Sequence, residues 1–221
     1  MALKLRIFCD FDGTIAKNDV GNLVFTTFGD AVHWWHLVAD WKKGFIDART
    51  MWREQARILR MTSRQLDEFA TEQEIDPTFP AFVEFCRERR YPLYVVSDGM
   101  DAYIDRILKS HNLAGLIIRS NHLAIAPDAS VQVAFPYYQF GCGTCANCKG
   151  FHVRSEGRDG ETTVYIGDGH SDVHGLTEAD ITFAKGDLLA ICRATRAHCK
   201  PYDSFADVQL ELTRLMFETL P

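Results

Sequence analysis

Asp10 and Asp12 stand two residues apart at the end of the run Leu5-Arg-Ile-Phe-Cys9 and are followed at once by Gly13-Thr14. Such a run suits a buried parallel strand, and the glycine stops it. Carboxylates at the carboxyl end of a strand lie where open α/β sheets bind ligands. Positions i and i+2 share one side of a strand, so both aspartates can act on a single substrate atom. From average residue usage, Asp-x-Asp-Gly-(Ser/Thr) occurs by chance in under roughly 1% of chains this long.

Two later segments also end an apolar run in polar residues. Leu93-Tyr-Val-Val96 leads into Ser97-Asp98-Gly99, and Thr163-Val-Tyr-Ile166 leads into Gly167-Asp-Gly-His-Ser-Asp172. Between them, Lys149 follows a cysteine-rich loop. In a parallel sheet these strand ends share one edge, so Asp10, Asp12, Ser97, Asp168 and Asp172 are expected to converge. Gathered carboxylates repel one another and need positive charge. Mg²⁺ prefers carboxylate and water oxygens and works with substrate phosphates. Lys149 and Ser97 would complete a phosphate clamp. The set points to phosphoryl transfer with a metal, an aspartyl nucleophile and a paired acid/base.

The elements that must position these residues alternate. Helical spacing runs through Trp34, Val38, Trp41 and Phe45, and again through Ala48, Trp52, Ala56 and Leu59. Thr62 with Gln65 has the pattern of a capping box. Pro77 and Pro80 mark a boundary. Helices are expected over 79–90, 100–111 and 205–220, strands over 93–96, 163–166 and 181–184, and short strands or a hairpin within 116–135. Strands alternating with helices imply an α/β fold, a Rossmann-like three-layer parallel sheet. The long helical stretch between the first two strands would be a small inserted helical cap, because connections of that length normally do something, such as cover a site. The expected division is a core of residues 1–16 and 78–221 with a cap of residues 17–77.

Asp10-Phe-Asp-Gly-Thr14, Ser97, Lys149 and Gly167-Asp-Gly-His-Ser-Asp172 resemble, in order, the four motifs of the haloacid dehalogenase (HAD) superfamily. The resemblance implies that Asp10 attacks phosphorus, that Asp12 protonates the leaving oxygen and then activates water, and that Lys149 neutralises nucleophile and phosphate. It implies a Mg²⁺ held by Asp10, the backbone carbonyl of Asp12 and Asp168, with Asp172 supporting the metal's waters or Lys149. Ser97, with the adjoining Asp98 and Gly99, would bind the phosphoryl group. The second aspartate favours phosphatase or phosphomutase chemistry, and a helical cap after the first motif is similar to the phosphoserine-phosphatase branch. There, Arg53 and Asp19 match positions that bind the substrate's carboxylate and amine. The start Phe8 to Ile15, Asn18-Asp19, Val96-Ser97 with Gly99-Met100-Asp101, and Cys148-Lys149 look like the phosphatases of 2-hydroxy-3-keto-5-methylthiopentenyl 1-phosphate in methionine salvage. Asp98 and Gly169-His170 depart from that group's pattern. Phosphoethanolamine and phosphocholine phosphatases share Cys-Lys-Gly at the third motif, so phosphoserine, phosphoethanolamine and phosphocholine stay open as substrates.

Cys142-x-x-Cys145-x-x-Cys148 has spacing suited to tetrahedral Zn²⁺, with His152 or another cysteine as fourth ligand; the competing reading is a packed loop of reduced thiols. A catalytically silent metal- or redox-responsive module built on this loop is the expectation from a different class. His33-Trp-Trp-His36 could line a pocket, although core packing of Trp34 with surface histidines is the plainer expectation. Arg49, Arg53, Arg57 and Arg60 form a stripe that could simply be solvated.

The 221 residues, 47% of them hydrophobic, can bury a sizeable core, and a net charge of −6 argues against a broad nucleic-acid-binding face. No apolar stretch approaches the roughly 18 residues of a membrane span. Lys4 and Arg6 inside the first strand, without a secretory apolar region, lead to an expected cytoplasmic location, and the seven cysteines to reduced thiols. The expected partner is a small phosphorylated metabolite; oligomeric state is not legible.

Overall fold

Leu5, Ile7, Phe8 and Cys9 are almost completely withdrawn from solvent, and this dictates where their strand must go. In the computed structural model, which describes residues 3–218, β1 (Leu5–Cys9) runs through the middle of a seven-stranded sheet. The other strands are β2 (Leu93–Met100), β3 (Ile117–Ile125), β4 (Val131–Ala134), β5 (Thr162–Gly167), β6 (Ile181–Ala184) and β7 (Lys200–Pro201). Their order is β4-β3-β2-β1-β5-β6-β7, parallel throughout except for the antiparallel β3–β4 hairpin.

Period-two alternation splits β1 between two apolar clusters: Ile7 and Cys9 join the large core on one face, Phe8 the smaller one on the other with Tyr94, Val96, Val153 and Tyr165. Helices cover both faces, which explains the unbroken apolar runs in the inner strands. Helices α5 (Phe79–Glu88), α6 (Asp101–Ser110) and α10 (Phe205–Glu218) add residues to the large core, while α7 (Lys149–Glu156), α8 (Val173–Glu178) and α9 (Gly186–Thr195) flank the smaller clusters. This is the expected three-layer α/β sheet.

Between β1 and α5 the chain forms α1 (Val20–Phe28), α2 (Ala31–Lys42), α3 (Ala48–Ile58) and α4 (Ser63–Thr71). Side chains of Asp19, Asp30, Asp47 and Thr62 each accept a backbone N–H at the start of one of these helices, and Thr62 with Gln65 completes the expected capping box. The helical run through Trp41 stops at Lys42, leaving Phe45 outside it and exposed. The two ends of the insertion lie side by side: Lys17 N–H donates to Glu74 O at 3.0 Å and Asp76 N–H to Ile15 O at 2.8 Å. Phe25, Trp34 and Trp52 pack ring against ring, and they belong to the same continuous core as Ile7 and Val95 of the sheet.

Two strands differ from the sequence reading. β2 does not stop at Val96 but resumes pairing at Met100 opposite Asn121, after a register shift. The bulged residues between are Ser97, Asp98 and Gly99, and a bulge re-aims side chains at the rim of a sheet. β7, only two residues long, escaped notice because Lys200-Pro201 carries no apolar pattern.

Candidate active site

At the carboxyl edge of the sheet, Asp10 follows β1 directly, its N–H donating to Ile166 O on β5 at 2.9 Å. The chain then turns sharply, with Ala16 N–H donating to Phe11 O at 2.9 Å and Gly13 at φ +74°. A side chain at Gly13 would collide with the carboxylate of Asp168, so glycine is needed for conformation and for clearance. Thr14 Oγ1 donates to Asp168 Oδ1 at 2.7 Å, fixing one oxygen of that carboxylate while the other lies against Gly13.

Lys149, only 1% exposed, places its ammonium 2.7 Å from Asp10 Oδ1 and 2.5 Å from Asp172 Oδ1, and donates to Ser171 Oγ at 2.8 Å. Asp172, fully buried, is more heavily satisfied still. Its Oδ1 also takes the Tyr165 hydroxyl at 2.5 Å, and its Oδ2 takes the N–H groups of Asp168 and Gly169 at 2.9 and 2.8 Å. With about four acceptor positions per carboxylate, Asp172 is committed to orienting Lys149 and the Asp168 loop. Direct metal ligation by Asp172 does not fit this bonding.

Asp12 belongs to a second network. Its Oδ2 takes Ser97 Oγ at 3.2 Å and the Tyr103 hydroxyl at 3.3 Å, and its Oδ1 takes Gly21 N–H at 3.1 Å. The bulge in β2 makes this contact: Gly99 N–H caps Ser97 Oγ at 2.9 Å, and a side chain at Gly99 would run into Tyr103 and Asp12. Asp98 lies on the cavity wall with its Oδ1 accepting Asn147 N–H at 2.6 Å. Asn147 in turn donates to Ser97 O and Arg119 O at 2.8 and 2.9 Å, and its Oδ1 sits 2.6 Å from His152 Nε2. One asparagine thus ties the loop before Lys149 to the tip of β2.

Burial and neighbouring like charge govern the electrostatics. Burial, reinforced by Asp172, pushes the Asp10 carboxyl well up, with Lys149 pulling it back. Burial and the nearby Asp19 raise Asp12 to about 7, against the hydrogen bonds from Gly21 and Ser97. Burial and Asp172 raise Asp168 to about 6, and burial raises Asp98 to about 6. For Lys149, burial acts downward, but Asp10 and Asp172 outweigh it and hold the ammonium above its ordinary range. Carboxylates raised in this way hold protons near neutrality unless a cation is supplied.

Oxygens of Asp10, Asp168 and Asp172 lie within 4.8 Å of one another, a hard-donor set suited to a divalent cation. Excess buried negative charge and the bonding of Asp172 together leave Asp10 and Asp168 as the carboxylates fit to hold it.

A cavity of about 230 Å³ opens over these groups. Its floor is Asp10, Asp12, Ser97, Lys149 and Asp168; its wall is Trp34, Trp35, Val38, Trp41, Met51 and Trp52, with Asp19 and Lys42 as charged groups on the same wall. The sequence expectations therefore meet here for Asp10, Asp12, Asp19, Ser97, Asp98, Gly99, Lys149 and Asp168, with Asp172 immediately behind. Arg53 does not come to this cavity. Met51, Trp52, Gln55 and Ala56 take the inward face of α3, and Arg53 is exposed with its guanidinium 5.5 Å from the ring of Phe135. Arg49 packs likewise over Tyr138 at 3.9 Å, so the first two arginines of the stripe face the segment after β4, while Arg57 is solvated beside Glu54 and Arg60 bonds to the carbonyls of Arg57 and Leu59. Trp34 is core, as expected, yet one edge lines the cavity.

Sequence reasoning passed over Asn147, Tyr103 and Tyr165, because a lone loop asparagine or a tyrosine in an apolar run carries no spacing signal. It also misassigned the fourth member of the cysteine cluster. His152 is buried against Asn147, while His174 of α8 approaches Cys145 Sγ at 3.3 Å.

Residues 7–177 match the family of haloacid dehalogenase-like hydrolases. The chain belongs to that family. Over 220 residues it is 29% identical to the 2-hydroxy-3-keto-5-methylthiopentenyl-1-phosphate phosphatase of Bacillus pumilus (strain SAFR-032), covering 95% of this chain and 91% of that one. It is 26% identical to Pdp3-interacting factor 1 of Schizosaccharomyces pombe, covering 98% of each. Among solved structures, a phospho-aspartyl intermediate analogue of phosphoserine phosphatase superposes with a TM-score of 0.70 over 94% of this chain and 98% of that one, at 19% identity. That last likeness shows a shared fold. The chain is therefore a HAD-like hydrolase, and no helix among its described residues is long and apolar enough to cross a membrane.

Proposed function

We propose that this HAD-like hydrolase is a Mg²⁺-dependent phosphomonoesterase that cleaves a small phosphorylated metabolite through an aspartyl phosphate on Asp10. The observation that carries the reading is the buried Lys149 ammonium, which bridges Asp10 and Asp172 and shares the floor of one cavity with the Asp12–Ser97 pair.

The steps follow from the groups present. A carboxylate oxygen of Asp10 attacks phosphorus while the ester P–O bond breaks, and Asp12, with its carboxyl raised to about 7, gives its proton to the departing oxygen. Asp12 then takes a proton from water, whose oxygen attacks phosphorus and releases Asp10 and inorganic phosphate. Lys149 and Ser97 hold the phosphoryl oxygens. Magnesium bound by Asp10 and Asp168, with the Asp12 carbonyl, would neutralise charge on the transferring group. Residues 17–77 act as the cap, their tryptophan-bearing helices closing over the substrate and excluding bulk water.

The cavity also bears on the substrate. At about 230 Å³ it lies below the roughly 300–1,000 Å³ of sites for drug-sized ligands, so the leaving group is small. Its wall is mostly apolar, and Arg53, the residue that would grip the carboxylate of phosphoserine, faces elsewhere. Both points favour a phosphate ester with an apolar tail, of which the methylthio-bearing enol phosphate of methionine salvage is the first candidate. The four tryptophans also support a second reading, phosphocholine, since a quaternary ammonium is attracted to indole faces. Phosphate release measured over the enol phosphate, phosphocholine, phosphoethanolamine and phosphoserine tests both. The highest kcat/KM is expected on one of the first two. Preference for phosphoserine would overturn the substrate assignment, and no release from any ester with Mg²⁺ present would overturn the phosphatase reading.

A further inference from the structure

The cysteine loop lies outside the chemistry above, yet it is joined to it at both ends. Cys142, Cys145 and Cys148 precede Lys149, and His174 follows Asp172 by two residues. Their three sulfurs and one imidazole nitrogen lie within 4.8 Å of one another, and no carboxylate is among them. Four ligands around tetrahedral zinc stand about 3.3–3.8 Å apart, given metal–ligand bonds of about 2.0–2.3 Å. The Cys145 Sγ to His174 Nδ1 separation of 3.3 Å already falls there. The backbone is arranged for it as well: Cys145 N–H points at Cys142 Sγ at 3.4 Å, and Gly143 takes φ +82° so that the loop can fold back on itself.

We infer that Cys142, Cys145, Cys148 and His174 form a structural Zn²⁺ site that locks the loop before α7 to the start of α8. A disulfide would use two of the sulfurs and leave the third cysteine and His174 idle, whereas a soft divalent metal uses all four. The lock has a definite mechanical target. Lys149 and Asp172 are partners at 2.5 Å, and each lies next to or two residues from a zinc ligand on its own segment. The same loop reaches the inserted helices, with Ala48 N–H donating to Thr144 O at 3.1 Å and Tyr138 hydroxyl bridging Asp47 and the Gly143 carbonyl at 3.1 and 3.0 Å. Zinc would therefore fix the lysine, its carboxylate partner and the α3 contact through one centre. The inference stands on geometry independent of the phosphatase reading.

The test is elemental analysis of the full-length protein purified without chelator, together with the absorption spectrum after exchange to Co²⁺. About one zinc per chain is expected, along with intense thiolate-to-cobalt charge transfer and tetrahedral ligand-field bands. Cys145→Ser and His174→Ala should each weaken zinc binding more than about tenfold, since even partners one shell further out cost that much. His174→Cys, which keeps four donors, should retain the metal. If the single-ligand variants do not fold, the wild-type cobalt spectrum still decides. Metal-free protein by elemental analysis, an intraloop disulfide by mass spectrometry, or zinc held unchanged by His174→Ala would overturn the assignment. None of these readouts involves phosphate release.

Discussion

Removing the ammonium from the centre of the site, by Lys149→Met, separates electrostatic from steric roles because methionine keeps most of the aliphatic stem. The lysine is 1% exposed and touches Asp10 at 2.7 Å and Asp172 at 2.5 Å, so its loss strands two buried carboxylates. Breaking a buried ion pair from one side costs about 3–5 kcal/mol. In a domain of this size each kcal/mol lowers Tm by about 2–4 °C, so the variant should melt about 6–20 °C below wild type at pH 8 without metal. The deficit should depend on pH in a definite direction. Asp10 is already raised by burial and Asp172, and losing Lys149 removes the influence that lowered it. A carboxyl whose folded value lies above its unfolded one stabilises the fold at low pH and loses that contribution as pH rises through the folded value. The gap between variant and wild type should therefore shrink toward pH 5 and widen toward pH 8. Turnover of p-nitrophenyl phosphate should fall at least about 10²–10³-fold, the cost of deleting one donor to a developing charge. Equal melting of the two proteins at pH 8, or comparable turnover, would refute the claim that Lys149 holds the site's charge balance.

Asp10→Asn should abolish turnover while keeping or raising the melting temperature, because a buried carboxylate facing Asp172 and Asp168 is neutralised; a calorimetric scan and a p-nitrophenyl phosphate assay check both halves. Thermal stabilisation by millimolar Mg²⁺ should be larger at pH 8 than at pH 5.5. Protons compete for Asp168, raised to about 6, and for Asp10, so an unchanged shift across that range would contradict carboxylate ligation. The tryptophans should part company. Trp34→Ala, at 1% exposure, should cost about 3–5 kcal/mol by denaturant unfolding, whereas the half-exposed Trp35→Ala should raise KM for the apolar-tailed ester with little change in stability.

Much of the site was legible because its acidic residues end apolar runs. Leu5 to Cys9 must be buried, so Asp10 must emerge at a strand tip, and parallel order then brings Asp168 beside it. The capping box at Thr62 and the strand Ile181–Ala184 were readable for similar reasons, since local chemistry alone specifies them. Contacts made across the fold were not. Asn147 binds Asp98, Ser97 and Arg119 from a loop with no periodicity, and His174 reaches Cys145 only because α8 packs beside α7. Arg53 misled for the opposite reason. The family resemblance led to the expectation of a substrate-binding role there, but the inward face of α3 is taken by Met51, Trp52, Gln55 and Ala56, which turns position 53 to the outside. The extension of β2 past Val96 was hidden because a bulge breaks the alternation on which strand reading depends.

The covalent step is open to direct observation. Asp12→Asn removes the group that activates water, and p-nitrophenyl phosphate has a leaving group that departs without the proton Asp12 would supply, so the variant quenched in acid during reaction with that ester should accumulate a phosphoryl group, and peptide mass spectrometry should place it on Asp10. Phosphate located on any other residue, or turnover by wild type with no labelled Asp10 in either protein under single-turnover conditions, would contradict nucleophilic attack from the tip of β1.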